Sequence, residues 1–318
     1  MNLLGLHHIS GVTGQIEANY AFYTQTLGLR LVKKTVNQDD TRAYHLFYAD
    51  QCGTPGTDIT FFDWANAAPE RYGNHSISRT GLRVASGISL LWWAERLANL
   101  GIETSKPELR HNRLTMDFSD PEGQRLSLIA DSTQDSAVPW TALVPAEHAI
   151  RGLGAVVLTV PQLKPTAEVL TNVLNMTQVA EYASSDSSQH RVAVFAMNDS
   201  GSAASELHLE VRPDLAPARP GAGGMHHVAF RVANAADHAA WLEHLSALGV
   251  RHSGLVDRFY FRAAYFREPN GILFELSTDD PGFATDEPQA TLGERLALPP
   301  FLEPHRTGIE SHLKPLDF

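Results

Sequence analysis

Short apolar runs and amphipathic stretches alternate along the chain in an order that repeats four times. Each round opens on an apolar run predicted to be a strand: 6–12, 81–84, 153–160 and 226–232. A stretch with helical periodicity follows. In the first round Ile16, Tyr20, Tyr23 and Leu27 recur at spacings that share one helical face. In the fourth, Ala239, Leu242, Leu245 and Leu248 do the same. Three short alternating or apolar runs then complete the round, in the first case 29–36, 44–48 and 58–62, with turn residues between them. The predicted unit is βαβββ.

The rounds are copies of one another. Trp93, Leu97, Leu100 and Gly101 fall on Trp241, Leu245, Leu248 and Gly249 at an offset of 241 − 93 = 148. The segment FSDPEGQRLSLIAD at 118–131 meets FREPNGILFELSTD at 266–279 at the same offset. A second register, 152 − 5 = 147, lays GLHHIS at 5–10 over GLGAVV at 152–157. Four modules follow, at 3–65, 77–131, 152–212 and 224–279. They divide the sequence into an N-terminal pair within 1–140 and a C-terminal pair within 150–280. The stretches 132–150 and 213–224 read as connecting segments, the latter a Pro/Gly-rich loop. Residues 281–318 lie outside the repeat and read as a tail packed across the modules.

Composition narrows the function classes. The chain has 318 residues, 43% of them hydrophobic, enough for about two domains. Its net charge of 25 − 36 = −11, with no basic cluster, argues against nucleic acid or an anionic membrane as partner. No apolar run approaches the roughly 20 residues that span a bilayer, and the start, MNLLGLHHIS, lacks the pattern of a signal peptide. Cys52 is the only cysteine, which excludes an intrachain disulfide and fits a cytoplasmic protein. Any metal site must then use imidazole and carboxylate. The sequence leaves homo-oligomerisation open.

Two His-His pairs carry the strongest chemical signal. His7-His8 and His226-His227 sit in equivalent opening strands, in nearly the same words, LHHIS and MHHVA. Strand alternation predicts that one imidazole of each pair faces the interior and the other faces away or lies at the strand edge. Glu275 stands in an apolar closing strand, where a carboxylate is costly to bury unless paired or bound to metal. A single strand histidine is more often structural than a ligand, and an isolated glutamate there fits a buried salt bridge as well. The repeat argues otherwise. The counterparts of His8, His227 and Glu275 are Ala155, Arg79 and Ser127. Modules one and four keep ligand types that modules two and three have lost. The expected architecture is therefore α+β, with four βαβββ modules in two open, barrel-like domains. Modules one and four pair around the metal, and modules two and three form a metal-free barrel.

Two imidazoles and a carboxylate are the ligand set of the non-haem Fe(II) oxygenases, and ligand type alone does not separate Fe(II) from Mn(II). The fourth equivalent position falls near Thr60, no strong ligand, so the site is expected to be open. The segment DRFYFRAAYF at 257–266 adds Arg258 and Tyr265, either of which would orient a phenolate and stabilise developing charge. The plainer reading is a strand with packed aromatics and solvated arginines. GTPG and GAGG lack a phosphate-loop context and read as turns. His111, His190 and His208 have no matched partners and read as structural or exposed.

These motifs resemble the vicinal oxygen chelate superfamily of glyoxalases, extradiol dioxygenases and bleomycin-resistance proteins. Within it the chain is similar to the hydroquinone and chlorohydroquinone ring-cleaving dioxygenases, through LHHIS, GMHHVAF, VDRFYFRAAYFREPNGILFELSTD and LPPFLEPHR. The resemblance covers essentially the whole chain. It implies Fe(II) on His8, His227 and Glu275, surrounded by His7, Ser10, His226, Arg258 and Tyr265. Ser10 stands where relatives carry Thr. It implies a para-diol substrate cleaved with O2 beside a hydroxyl-bearing carbon, with His226 or Tyr265 as acid/base and Arg258 as charge stabiliser. The competing readings are a glyoxalase-like lyase or isomerase and a non-catalytic protein that sequesters aromatic drugs.

Overall fold

The computed structural model describes residues 1–316. Residues 317–318, the end of the expected tail, lie outside them. All four βαβββ modules form, and their strands make two eight-stranded sheets. The first runs Val256–Asp257, Phe261–Arg267, Leu273–Pro281, Met225–Val232, Leu6–Thr13, Asp58–Asp63, Asp40–Ala49, Arg30–Asn37. It holds only strands of modules four and one. The second runs Thr177–Ala183, Arg191–Ala196, Glu206–Val211, Leu153–Val160, Ser76–Val84, Arg125–Ala130, Arg113–Ser119, Glu108–Arg110, from modules three and two. Each sheet thus takes one module from each half of the sequence. The first brings Leu6–Thr13 antiparallel against Met225–Val232.

That seam departs from regular alternation at two places. Leu6 and His8 pair with the neighbours Phe230 and Ala229, so His7 is an extra residue. Ser10 and Gly11 pair with His227 and Met225, so His226 is the extra residue on the other strand. The second sheet repeats the irregularity between Ile77 and Arg79 and between Thr80 and Leu82. A bulge re-aims the side chain it carries. The bulges interrupt the expected alternation, leaving His7 buried and His226 exposed, each with a ring nitrogen against its neighbour. The Nδ1 atoms of His7 and His8 lie 2.9 Å apart, and those of His226 and His227 lie 2.7 Å apart.

Helices pack against the sheets through the predicted stripes, with one change. Ile16, Tyr23 and Leu27 are buried in module one. Its helix Ile16–Ala21 passes into a π-helical turn, Phe22–Thr26, and module three repeats this with Leu163–Glu168 and Val169–Val173. In module four the helix Ala235–Ala247 buries His238, Trp241 and Leu245. Ala239 and Leu248 are exposed instead. The Trp241 indole offers the largest apolar surface and draws the helix round to bury it.

The tail closes one end of the first sheet. Phe283 and Leu292 join Val32, Phe47, Tyr260 and Phe261 in one apolar cluster. The outer strand Arg30–Asn37 is covered where Ala297 N donates to Lys34 O (2.9 Å), which protects an otherwise open sheet edge. The fully buried Lys33 ammonium reaches Asp286 (2.7 Å) and Glu287, so its charge is paired within the tail. No helix among the described residues is long and apolar enough to cross a membrane.

Candidate metal centre

The seam places His8 and His227 side by side, and Glu275 follows from the next strand pair, where Ala229 registers with it. His8, His227 and Glu275 are all buried, and one ligand atom from each lies within 4.8 Å of the others, a group able to hold a metal ion. Glu275 Oε2 is 2.9 Å from His227 Nε2 and 3.4 Å from His8 Nε2. It nevertheless has no well-directed hydrogen bond, although it is wholly buried. Such an orphaned oxygen is costly, and a cation at the meeting point of the three atoms would satisfy it. Burial pushes the Glu275 carboxyl up, but the imidazoles of His8 and His227 outweigh this and hold it well below the usual carboxylate range.

Neighbouring groups fix which nitrogen of His8 faces the centre. His7 Nε2 lies 3.0 Å from the carbonyl oxygen of Thr278, which can only accept, so Nε2 carries the proton. Burial, chiefly, lowers the His7 pKa to about 3, so the ring is neutral and its Nδ1 accepts. His8 Nδ1 must then donate, which leaves His8 Nε2 with a lone pair toward Glu275. Outer partners of this kind orient metal-binding imidazoles. Ser277 Oγ donates to Glu275 Oε1 (2.7 Å) and fixes the carboxylate plane.

The fourth corner is Thr60. Ser10 and Ala229 each stand two residues beyond a central histidine, and they register with Thr60 and Glu275 respectively. Thr60 is thus the counterpart of Glu275 in module one. Its hydroxyl meets Ser10 Oγ (2.8 Å) and His45 Nε2 (2.9 Å).

A cavity of about 320 Å³ opens on this centre, in the size range of small-molecule sites. Its walls include Phe47, Phe62, Trp64, Phe261 and Leu273, with His226, Arg258 and Tyr265 among the polar groups. Arg258 Nε donates to Tyr265 OH (3.2 Å), and Tyr265 registers beside Glu275. Burial, chiefly, raises the Tyr265 phenol far above its ordinary pKa, so it stays protonated. The structure therefore brings His226, Arg258 and Tyr265 to the cavity, whereas His7 lies behind His8 and Ser10 lies against Thr60.

His45 is a cavity residue that sequence reasoning missed. Its ring packs between Phe47 and Phe62, with centroids 4.0 and 4.1 Å away. The one hint was a histidine in the alternating run YHLFY. The repeat gave it no support, because the position that registers with Ser277 as His45 does with Phe62 is Ala263.

The second sheet fills the equivalent place with charge pairs. Arg79 pairs with Asp117 (2.9 Å), and Ser127 donates to the same carboxylate (2.5 Å). His208 occupies the Thr60 position, since Val157 registers with it. It is buried, between Glu206 (3.1 Å) and Tyr182 OH (3.0 Å). No group able to hold a metal ion is found there among the described residues.

Residues 5–128 and 152–276 match the family model of the Glyoxalase/Bleomycin resistance protein/Dioxygenase superfamily. The chain belongs to this superfamily. One relative is MhqA of Bacillus subtilis, provisionally named a ring-cleaving dioxygenase. It is 46% identical over 99% of this chain and 100% of its own length. The chlorohydroquinone/hydroquinone 1,2-dioxygenase of Sphingobium indicum is 32% identical over 94% of this chain and 92% of its own. A Bacillus subtilis crystal structure, provisionally described as a dioxygenase, superposes with a TM-score of 0.90 at 35% identity, covering 99% and 98% of the two chains. Maize glyoxalase I shares the fold alone, with a TM-score of 0.62 at 16% identity over 86% of this chain and 92% of its own. Within the superfamily, relatives named ring-cleaving dioxygenases support an oxygenase here, an enzyme acting on an aromatic substrate with O2.

Proposed function

We propose that this chain is an Fe(II)-dependent dioxygenase that opens a hydroquinone-type ring, with His8, His227 and Glu275 as the metal ligands. One observation carries the reading. Three buried lone-pair atoms converge at the end of an aromatic-walled cavity, and the fourth corner, Thr60, is not a carboxylate. A closed four-ligand set would leave less room for a diol and O2 together. The donor set suits Fe(II), with Mn(II) as the other metal of matching preference. When bound, the metal would ionise a phenolic hydroxyl and bring the diol and O2 to one centre.

The chain's own groups do the rest. Phe47, Phe62 and Trp64 hold the ring and exclude water. For His227 to present Nε2, its Nδ1 donates to His226, which then keeps its proton on Nε2 for a cavity occupant. Burial and the neighbouring His227 lower the His226 pKa to about 4, so it acts as a neutral donor and acceptor. Arg258 and Tyr265 offer N–H and O–H donors where negative charge develops. His7 and Ser10 act through His8 and Thr60. The lone cysteine fits a cytoplasmic setting.

The test is metal analysis, then anaerobic addition of hydroquinone, then O2, extended over catechols and chlorinated hydroquinones. Equimolar metal and uptake of O2 with the diol support the reading. A metal-bound protein that isomerises substrate without O2 is a glyoxalase-like lyase. A protein that binds the aromatic without turnover is a sequestering protein. Either result replaces the proposal.

A further inference from the structure

The first sheet ends in two terminal strands, Arg30–Asn37 in module one and Val256–Asp257 in module four. They meet at the cavity. Gln38 Nε2 donates to the carbonyl oxygen of Arg258 (2.8 Å). Arg258 Nη1 and Nη2 donate to the two oxygens of Asp39 (3.1 and 2.8 Å). Gln38, Asp39 and Arg258 all line the cavity. The residue after the arginine, Phe259, has φ +67°, a strained conformation for an aromatic side chain. The turn is thus held in a form it would not adopt on local preference alone.

This arrangement decides where the arginine's charge goes. Arg258 is the only lysine or arginine among the described residues that line the cavity. A guanidinium has five donors in a rigid plane. Asp39 takes the two outer nitrogens in fork-to-fork geometry, and Tyr265 takes Nε (3.2 Å). Three of the five N–H groups are thus engaged, and the carboxylate of Asp39 sits directly against the arginine's charge. Asp39 is itself largely exposed, so as a stabiliser the pair counts for little. Its consequence lies in orientation and in charge masking.

We propose that Asp39 is a specificity-determining residue. By pairing with the outer edge of Arg258 it offsets the charge of the cavity's one fixed cation while leaving the arginine two N–H groups, so the site takes para-diols with neutral ring substituents in preference to those with anionic ones. The inference rests on the ring-cleavage reading for its substrate class. The pairing of Asp39 with Arg258 stands apart from that reading.

The test measures binding to the Fe(II)-loaded protein without O2, through quenching of tryptophan fluorescence, since Trp64 lines the cavity. The probes are hydroquinone, 2,5-dihydroxybenzenesulfonate and benzenesulfonate, because a sulfonate carries charge yet is a poor metal ligand. Wild type prefers hydroquinone. Asp39→Asn shifts the preference toward the sulfonated diol by about tenfold, the scale of one charge-assisted hydrogen bond. Asp40→Asn removes the same charge one residue away, beside Arg42 rather than Arg258, and leaves the ratio unchanged. An unchanged ratio in Asp39→Asn, or an equal shift in Asp40→Asn, overturns the proposal. If neither diol binds wild type, the ring-cleavage reading fails. Benzenesulfonate then decides Asp39 alone, by tightening or not in Asp39→Asn.

Discussion

His7 and Thr278 are 271 positions apart, yet the 3.0 Å contact from His7 Nε2 to the Thr278 carbonyl oxygen sets the proton on His8. Replacing His7 with Phe keeps an aromatic ring but removes both nitrogens. The expected result is a loss of metal affinity of about 10- to 100-fold, the usual effect of deleting an outer partner of a metal-binding imidazole. Competition with a chelator measures it. An unchanged affinity would mean that His8 needs no such partner.

Thr60 stands where the symmetry of the two modules puts Glu275, so Thr60→Glu offers a fourth carboxylate to the same centre. The variant is expected to bind metal at least as tightly as wild type and to lose most of its O2 uptake with hydroquinone. Chelator competition and an oxygen electrode report the two properties separately. Full uptake with tight metal would show that an open fourth corner is not required.

The second sheet is expected to bear on stability and not on the centre. Asp117→Ala leaves the buried Arg79 only the longer contact to Asp186 (3.5 Å) and strips Arg110 of its two-oxygen partner, and breaking a buried pair costs about 3–5 kcal/mol. Denaturant unfolding measures the loss, while turnover per bound metal in the folded fraction stays at the wild-type value.

Glu70 supplies a pH-dependent term. Burial raises its carboxyl from 4.5 to about 7, opposed by the charge of Arg125. As pH rises from 4.5 the unfolded chain releases this proton, while the folded chain keeps it until about 7. The unfolded state binds fewer protons across that window, so stability falls as pH increases. Glu70→Gln removes the term. The variant is expected to gain stability relative to wild type progressively from pH 4.5 to 7 in urea titrations, and to hold that gain above.

Much of this architecture was legible because the chain repeats itself. The offsets of 147 and 148 located the modules, and the loss of ligand types at Arg79, Ser127 and Ala155 indicated that module one closes on module four. The strand order bears that pairing out. The positions of His7 and His226 were not legible in the same way. A bulge depends on one strand having a residue more than its partner, and that count appears only once the register is known. His45 was hidden because its counterpart is Ala263, so the repeat that exposed the other histidines was silent there. The inward face of the last helix was misread because four aliphatic residues spaced as a stripe outweighed one tryptophan on paper, and the indole prevailed in packing. Asp39 gave no signal, since an exposed aspartate in a turn has no pattern that marks its partner.

The most direct test of the central claim is turnover of hydroquinone under ¹⁸O₂ by the Fe(II)-loaded protein, with His227→Ala alongside. The account predicts a ring-opened product carrying both labelled oxygen atoms from wild type, and neither equimolar iron nor product from the variant. An intact ring, a product without label, or wild-type turnover by His227→Ala would contradict it.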